Sequence, residues 1–368
     1  MILLLLACDD APPPMAPPDA CTIMGTPAPG PLAADLAAAG DDALAQARVR
    51  IREARLTSDP GFYTLADTAL SCALSRSPTD VEAARLQVHL LVQFHRFAEA
   101  EAAARALPGD HWLDQALLGD ALMERGDLDA AAVAYQAAVD RRPGLEMYDR
   151  IGWLRWSWGD VDGALQMQAS AVSAGSPQDP EPFAWVLTRM GWLHALRGEP
   201  AAEIEQALTL LPDYPPARFA RGRIRLHAGD TVGAAADLRA VGATVEAVRA
   251  LSEIGPADVE AVRAQDPRGY ALWLADRDPA RAIPVLEEEW TVRQDAMTQM
   301  ALAYARFRAG QPASDPRAEE QARAALATGI AEPRVLLLGG LILGDDALVT
   351  RALVTGPGLL PSERKLVP

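Results

Sequence analysis

A glycine followed at once by an acidic residue recurs along this chain, at Gly126-Asp127, Gly159-Asp160, Gly198-Glu199, Gly229-Asp230 and Gly344-Asp345. The first four pairs stand 33, 39 and 31 residues apart. Glycine reaches the left-handed backbone region that ends a helix, and the acid can cap the free N–H groups that open the next one. Each pair therefore predicts the turn of a helical hairpin, and the repetition predicts a stack of hairpins. Residues 117–125 before the first pair and 128–139 after it carry apolar side chains at helical spacing, and Pro143 closes the unit.

Composition agrees with closely packed helices. Half of the 368 residues are hydrophobic, which is enough for a sizeable core, while only 5% are aromatic and about a fifth are alanine. Sheets favour β-branched and aromatic side chains instead. The 34 basic and 50 acidic residues give a formal net charge of −16. That charge excludes nucleic acid as the expected partner, because phosphate backbones require a segregated basic patch and the sequence shows none.

The unit around the first pair resembles the tetratricopeptide repeat. Its Leu118, Gly119, Ala131, Tyr135, Ala138 and Pro143 match that family's Leu-Gly, alanine, aromatic and closing proline over 34 residues. With Gly119 as the eighth position the repeat starts at Trp112, and its neighbours fall into phase. Ala54, Ala66, Leu70, Ala73 and Pro78 fit a repeat from about Ala47, and Val88, Ala100 and Ala104 fit one from about Val81. Gly152, Ala164 and Ala171 fit the next, from Leu145; Gly191 with Pro212 and Gly222 with Ala234 define two more. The resemblance implies an all-α solenoid, a right-handed superhelix of antiparallel helix pairs, with about six repeats over residues 41–244. Residues 245–265, broken by Gly255 and Pro256, read as an irregular connector. Residues 266–368 read as degenerate repeats, with hairpins over 270–292, 295–327 and 334–354.

The N-terminus carries a second signal. Residues 1–8 form an apolar run ending in Ala7-Cys8, which resembles a bacterial lipobox. The resemblance implies lipidation at Cys8 and a membrane anchor facing the periplasm, with a cytoplasmic protein as the alternative. Residues 9–40 hold Pro12, Pro13, Pro14, Pro17, Pro18, Pro27, Pro29 and Pro31 and read as a tether. Cys21 and Cys72 would be free to pair in an exported compartment, or Cys72 is simply a small buried helix residue. The longest apolar run, 335–343, is under half of the about 20 residues a membrane span needs.

No constellation for chemistry stands out. The five histidines lack the spacing of a helical zinc site, no cysteine pair has metal-ligand spacing, and no nucleophile elbow or phosphate loop occurs. No cofactor, metal or catalytic residue is therefore expected, and an enzyme built from scattered residues, as in a helical toroid, is the lesser alternative. The expected function is a protein-interaction scaffold. In the tetratricopeptide family the first helix of each hairpin lines the concave groove through its second, fifth, ninth, twelfth and thirteenth positions. Carried onto this register, those positions nominate Arg85, His89, Trp153, Trp156, Trp185, Trp192, Phe219 and Arg223 as the surface that binds a peptide or protein segment. Arg223 is expected to read an acidic or carbonyl group, and most of the negative charge is expected on the convex face and loops. The competing reading places the tryptophans in the core, since an aromatic stripe on a helix usually packs inward.

Overall fold

A computed structural model describes residue 21, residues 30–310 and residues 315–367; Cys8 and most of the proline-rich segment lie outside the described residues. Among the described residues there are 21 α-helices and no strand. A short helix α1 (Ala33–Ala39) leads into six antiparallel pairs. These are α2 (Ala43–Thr57) with α3 (Gly61–Arg76), α4 (Val81–Gln93) with α5 (Phe97–Arg105), and α6 (Trp112–Glu124) with α7 (Leu128–Val139). Next come α8 (Leu145–Ser157) with α9 (Val161–Ala174), α10 (Pro180–Leu196) with α11 (Ala202–Leu210), and α12 (Pro215–His227) with α13 (Thr231–Ala240). The repeat signal fades at α14 (Val245–Ser252) and a 3-10 turn, Glu260–Val262. Three pairs follow: α15 (Pro267–Ala275) with α16 (Pro279–Val292), α17 (Ala296–Ala309) with α18 (Pro316–Ala327), and α19 (Pro333–Leu343) with α20 (Asp346–Leu353). A 3-10 turn at Gly356–Gly358 and the one-turn α21 (Pro361–Arg364) come last. The fold is an all-α, tetratricopeptide-like solenoid.

The turns follow from their sequence. The five glycines of the glycine-acid pairs all have φ between 64° and 83°. The following N–H reaches back five residues at every one, as from Asp127 to the Leu122 carbonyl at 3.0 Å and from Asp230 to Arg225 at 2.9 Å. This is the Schellman closure, which satisfies carbonyls the helix end leaves free. The side chains of Asp127, Asp160, Asp230 and Asp345 then cap the next helix. Glu199 does not: it pairs with Arg197 at 3.1 Å, and α11 starts from Ala201 without a side-chain cap. The turn between α4 and α5 has the same closure without a glycine. His95 takes φ 59° there, and the Arg96 N–H returns to the Leu91 carbonyl at 2.9 Å.

In α6/α7 and α10/α11 a glycine on the first helix lets a large side chain of the second pack directly on its backbone. A Cβ built on Gly119 would lie 2.4 Å from the Tyr135 ring, and one on Gly191 would lie 2.7 Å from Ile204. Tyr135 is only 1% exposed and anchors the core between α6 and α7.

The solenoid winds far enough for distant hairpins to meet. The C-terminal pairs lie against the turns of the earlier ones. The Ala331 N–H donates to the Ser157 carbonyl at 2.7 Å, and a Cβ on Gly126 would stand 2.8 Å from Thr328. Further on, Gly356 meets the Ala195 carbonyl at the end of α10, and Arg223 of α12 donates to the Pro357 carbonyl at 2.8 Å.

The N-terminal segment departs from its expected form at its end. Residues 33–39, read as part of the tether, form α1, where alanine favours the helix and Leu36 supplies one buried anchor. Asp35 pairs with Arg52 of α2 at 2.8 Å, and the Leu32 N–H donates to the buried Glu53. Cys21 is joined by a disulfide to Cys72 of α3. No helix among the described residues is long and apolar enough to cross a membrane.

Candidate functional site

The first helices of the hairpins, from α2 to the start of α12, surround a cavity of about 530 Å³. Its wall is set by the repeat register. In the pair starting at Trp112, the second, ninth, twelfth and thirteenth positions are Leu113, Asp120, Met123 and Glu124, and all four line it. In the pair starting at Leu145 the second, fifth and ninth are Glu146, Asp149 and Trp153, which line it too. The sixth position of two successive hairpins adds Arg150 and Arg189.

One side of the cavity is an aromatic and ionic sandwich. The Arg189 guanidinium lies 4.1 Å from the centre of the Trp153 ring and 4.6 Å from that of Trp185, within cation–π range of both. It also donates to both oxygens of Asp149 at 3.2 Å. Asp149 further accepts from the Trp185 indole N–H at 3.1 Å and from Gln168 at 2.9 Å. Next to it, Arg150 bonds both oxygens of Asp120 between 2.9 and 3.2 Å, and the Tyr135 hydroxyl donates to Asp120 at 2.8 Å. Burial disfavours the Arg150 charge, yet Asp120 holds its pKa above the ordinary arginine value. Across the cavity Arg55 pairs with Glu181 at 2.8 Å, and Glu181 accepts from the Tyr214 hydroxyl at 3.2 Å.

The cavity is acidic on balance. Among the described residues five carboxylates line it, Asp120, Glu124, Glu146, Asp149 and Glu181, against the arginines 55, 150 and 189. Each arginine is matched to one acid. That leaves Glu146, exposed, and Glu124, half-buried on the last turn of α6. Glu124 makes no hydrogen bond or ion pair among the described residues. Burial, reinforced by Asp295, pushes its carboxyl up to about 7, with Arg293 and Arg268 opposing. His89 is the other unpartnered group, with no partner for its buried Nε2. Burial, with Arg55 adding repulsion, pulls the imidazole down to about 4, so it is neutral at physiological pH.

The residues nominated from sequence divide. His89, Trp153 and Trp185 line the cavity. Arg85 does not; it is tied to Asp114 of α6 at 2.6 Å and to Glu82 of its own helix. Trp156 and Trp192 pack on the buried cluster of Ala164, Leu165, Leu193 and Leu196, although Trp156 also stacks on Trp153 at 4.2 Å. Phe219 packs on the cluster that contains Leu360, and Arg223 is buried against Pro357. Arg223 thus reads a carbonyl of its own chain, because the C-terminal turn covers α12 where the register would leave an open groove. Negative charge is expected mostly on the convex face and loops; five carboxylates against three arginines put a smaller part of it on the cavity wall as well. Arg55, Asp120, Glu124 and Asp149 occupy groove positions of the same register, but as charged residues on a helix they are indistinguishable in sequence from a solvated face. Glu181, Tyr63 and Tyr214 lie outside those positions, and their arrival depends on the winding of the superhelix. Among the described residues no group of histidine, cysteine and acidic side chains is placed to hold a metal ion.

Fold and cavity together define a helical-hairpin solenoid with an acidic, aromatic-walled interior. The sequence matches no family model and no curated protein. Among solved structures, the crystal structure of the APC/C hetero-tetramer Cut9-Hcn1 aligns over 86% of this chain and 56% of that one, with a TM-score of 0.48 and 13% sequence identity.

Proposed function

We propose that this protein is a non-enzymatic scaffold that holds a segment of a protein partner in its central cavity. The observation that carries the reading is the Trp153–Arg189–Trp185 sandwich: three large, half-buried side chains in the cavity wall, with Arg189 and Trp185 fixed by Asp149. Tryptophan and arginine dominate interface hot spots because they bury much area at low entropic cost. Asp120, Asp149 and Glu181 are each held by an arginine, which ties up three of the five cavity carboxylates and leaves Glu124 and Glu146.

The same reading takes the chain to be exported and anchored at Cys8 to a bacterial envelope membrane, facing the periplasm. The Cys21–Cys72 disulfide supports it, since such bonds persist in oxidising compartments and are rare in the cytosol. In envelope extracts, wild-type protein should retain a defined partner that the Trp153→Ala/Trp185→Ala double variant releases while its helicity is unchanged. Equal retention by both would refute the cavity as the binding surface. Palmitate labelling that is present in the wild type and lost in Cys8→Ala tests the anchor.

A further inference from the structure

We infer that the partner segment presents a basic side chain, lysine or arginine, whose cation is received by Glu124 inside the aromatic-walled cavity. The inference rests on the peptide-binding reading and narrows it to one ligand chemistry.

Arg55, Arg150 and Arg189 are matched to Glu181, Asp120 and Asp149 within 3.2 Å. A carboxylate ligand would therefore find no free arginine among the described residues that line the cavity, and it would meet the unmatched Glu124. His89 offers no positive charge, since burial keeps it neutral. A cation meets the opposite situation: an acid without a partner, half withdrawn from water, where an opposite charge removes a standing penalty.

The walls suit the same ligand. Tyr63, Trp153 and Trp185 line the cavity as half-buried rings, and the buried Trp112, Tyr135 and Tyr214 stand in its wall. Aromatic faces attract ammonium and guanidinium groups and accommodate the methylene stem behind them. The protein already shows this chemistry with its own arginines, at Arg189 between two tryptophans and at Arg142 over Trp112, 4.5 Å from the ring centre. The net charge of −16 adds long-range attraction for a basic segment and repels an acidic one.

The test titrates the full chain, followed by tryptophan emission, with three pools of capped nonapeptides. Flanking residues are random and the central residue is lysine, glutamate or leucine. The lysine pool should bind at least about tenfold more tightly than the other two, and Glu124→Gln should remove most of that preference. Glu124→Asp, which keeps the charge, should retain part of it and guards against a folding defect in the first variant. Glutamate or leucine pools binding as well as lysine overturn the cation inference and leave the peptide reading standing. A lysine preference unchanged in Glu124→Gln overturns Glu124 as the receptor. If no pool binds, both readings fall.

Discussion

Arg55 and Glu181 form an ion pair across the centre of the superhelix, Nη2 to Oε2 at 2.8 Å, although 126 residues separate them. The pair joins the first hairpin to the fifth and closes one side of the cavity. Burial raises the Glu181 carboxyl above its ordinary value, and Arg55 offsets part of that rise. Arg55→Ala leaves Glu181 with the Tyr214 hydroxyl alone. Because Arg55 is 40% exposed the expected loss is modest, about 1 to 2 kcal/mol. Small-angle scattering should show a more open particle, and acrylamide should quench more of the tryptophan emission. An unchanged scattering profile would mean that packing elsewhere, not this pair, sets the winding.

Gly119 tests the contact inside a hairpin. Its replacement by leucine must displace the Tyr135 ring, at an expected cost of about 1 to 3 kcal/mol. Tyr135→Ala in the same chain should relieve the clash, so that the double variant loses less than the sum of the singles. Gly144 is the control. It is extended, with nothing within 4 Å of a built Cβ, so Gly144→Ala should stay within about 0.5 kcal/mol of wild type in a thermal melt.

The hairpins were legible because their signals are local. A glycine in the left-handed region and an aspartate cap lie two to four residues from what they control, and the predicted hairpins over 270–292, 295–327 and 334–354 are the observed pairs α15/α16, α17/α18 and α19/α20. The turn at His95 lacks the glycine-acid mark, since only its backbone, not its residue type, resembles the others, and its hairpin is legible only through Val88, Ala100 and Ala104. The site was half legible for the same reason. Register alone brings Asp120, Asp149 and Trp153 to the cavity, since neighbouring hairpins place equivalent positions on one surface. It cannot place Glu181 beside Arg55, or cover Arg223 with Pro357, because those contacts depend on accumulated rotation over more than 100 residues.

The Cys21–Cys72 bond ties the segment before α1 to the second helix of the first hairpin. It closes a loop between positions 51 residues apart. Removing it with Cys21→Ser/Cys72→Ser should cost about 2 to 4 kcal/mol, most of it by freeing the unfolded chain. Thermal melts with and without reductant check this: reductant should lower the wild-type midpoint and leave the double variant unmoved. Equal sensitivity to reductant in both proteins would show that the bond contributes nothing.

Glu124 makes stability depend on pH in a direction opposite to that of a salt-bridged acid. Its carboxyl is raised from 4.5 to about 7 by burial first, then by Asp295 and Asp120, with Arg293 and Arg268 pulling the other way. The folded state therefore binds this proton more tightly than the unfolded chain does. Below about pH 4 both states hold the proton and the group costs nothing. Stability then falls as pH rises through the interval from 4.5 to about 7, and it levels off above that. Glutamine cannot ionise, so Glu124→Gln should match the wild type near pH 4.5 and exceed it by roughly 1 to 3 kcal/mol at pH 8. Denaturant titrations of both proteins at the two pH values measure the gap directly. A gap that does not grow with pH, or a variant less stable than wild type at pH 8, would mean that Glu124 already has a compensating partner, and the reason for it to accept a cation would disappear with that result.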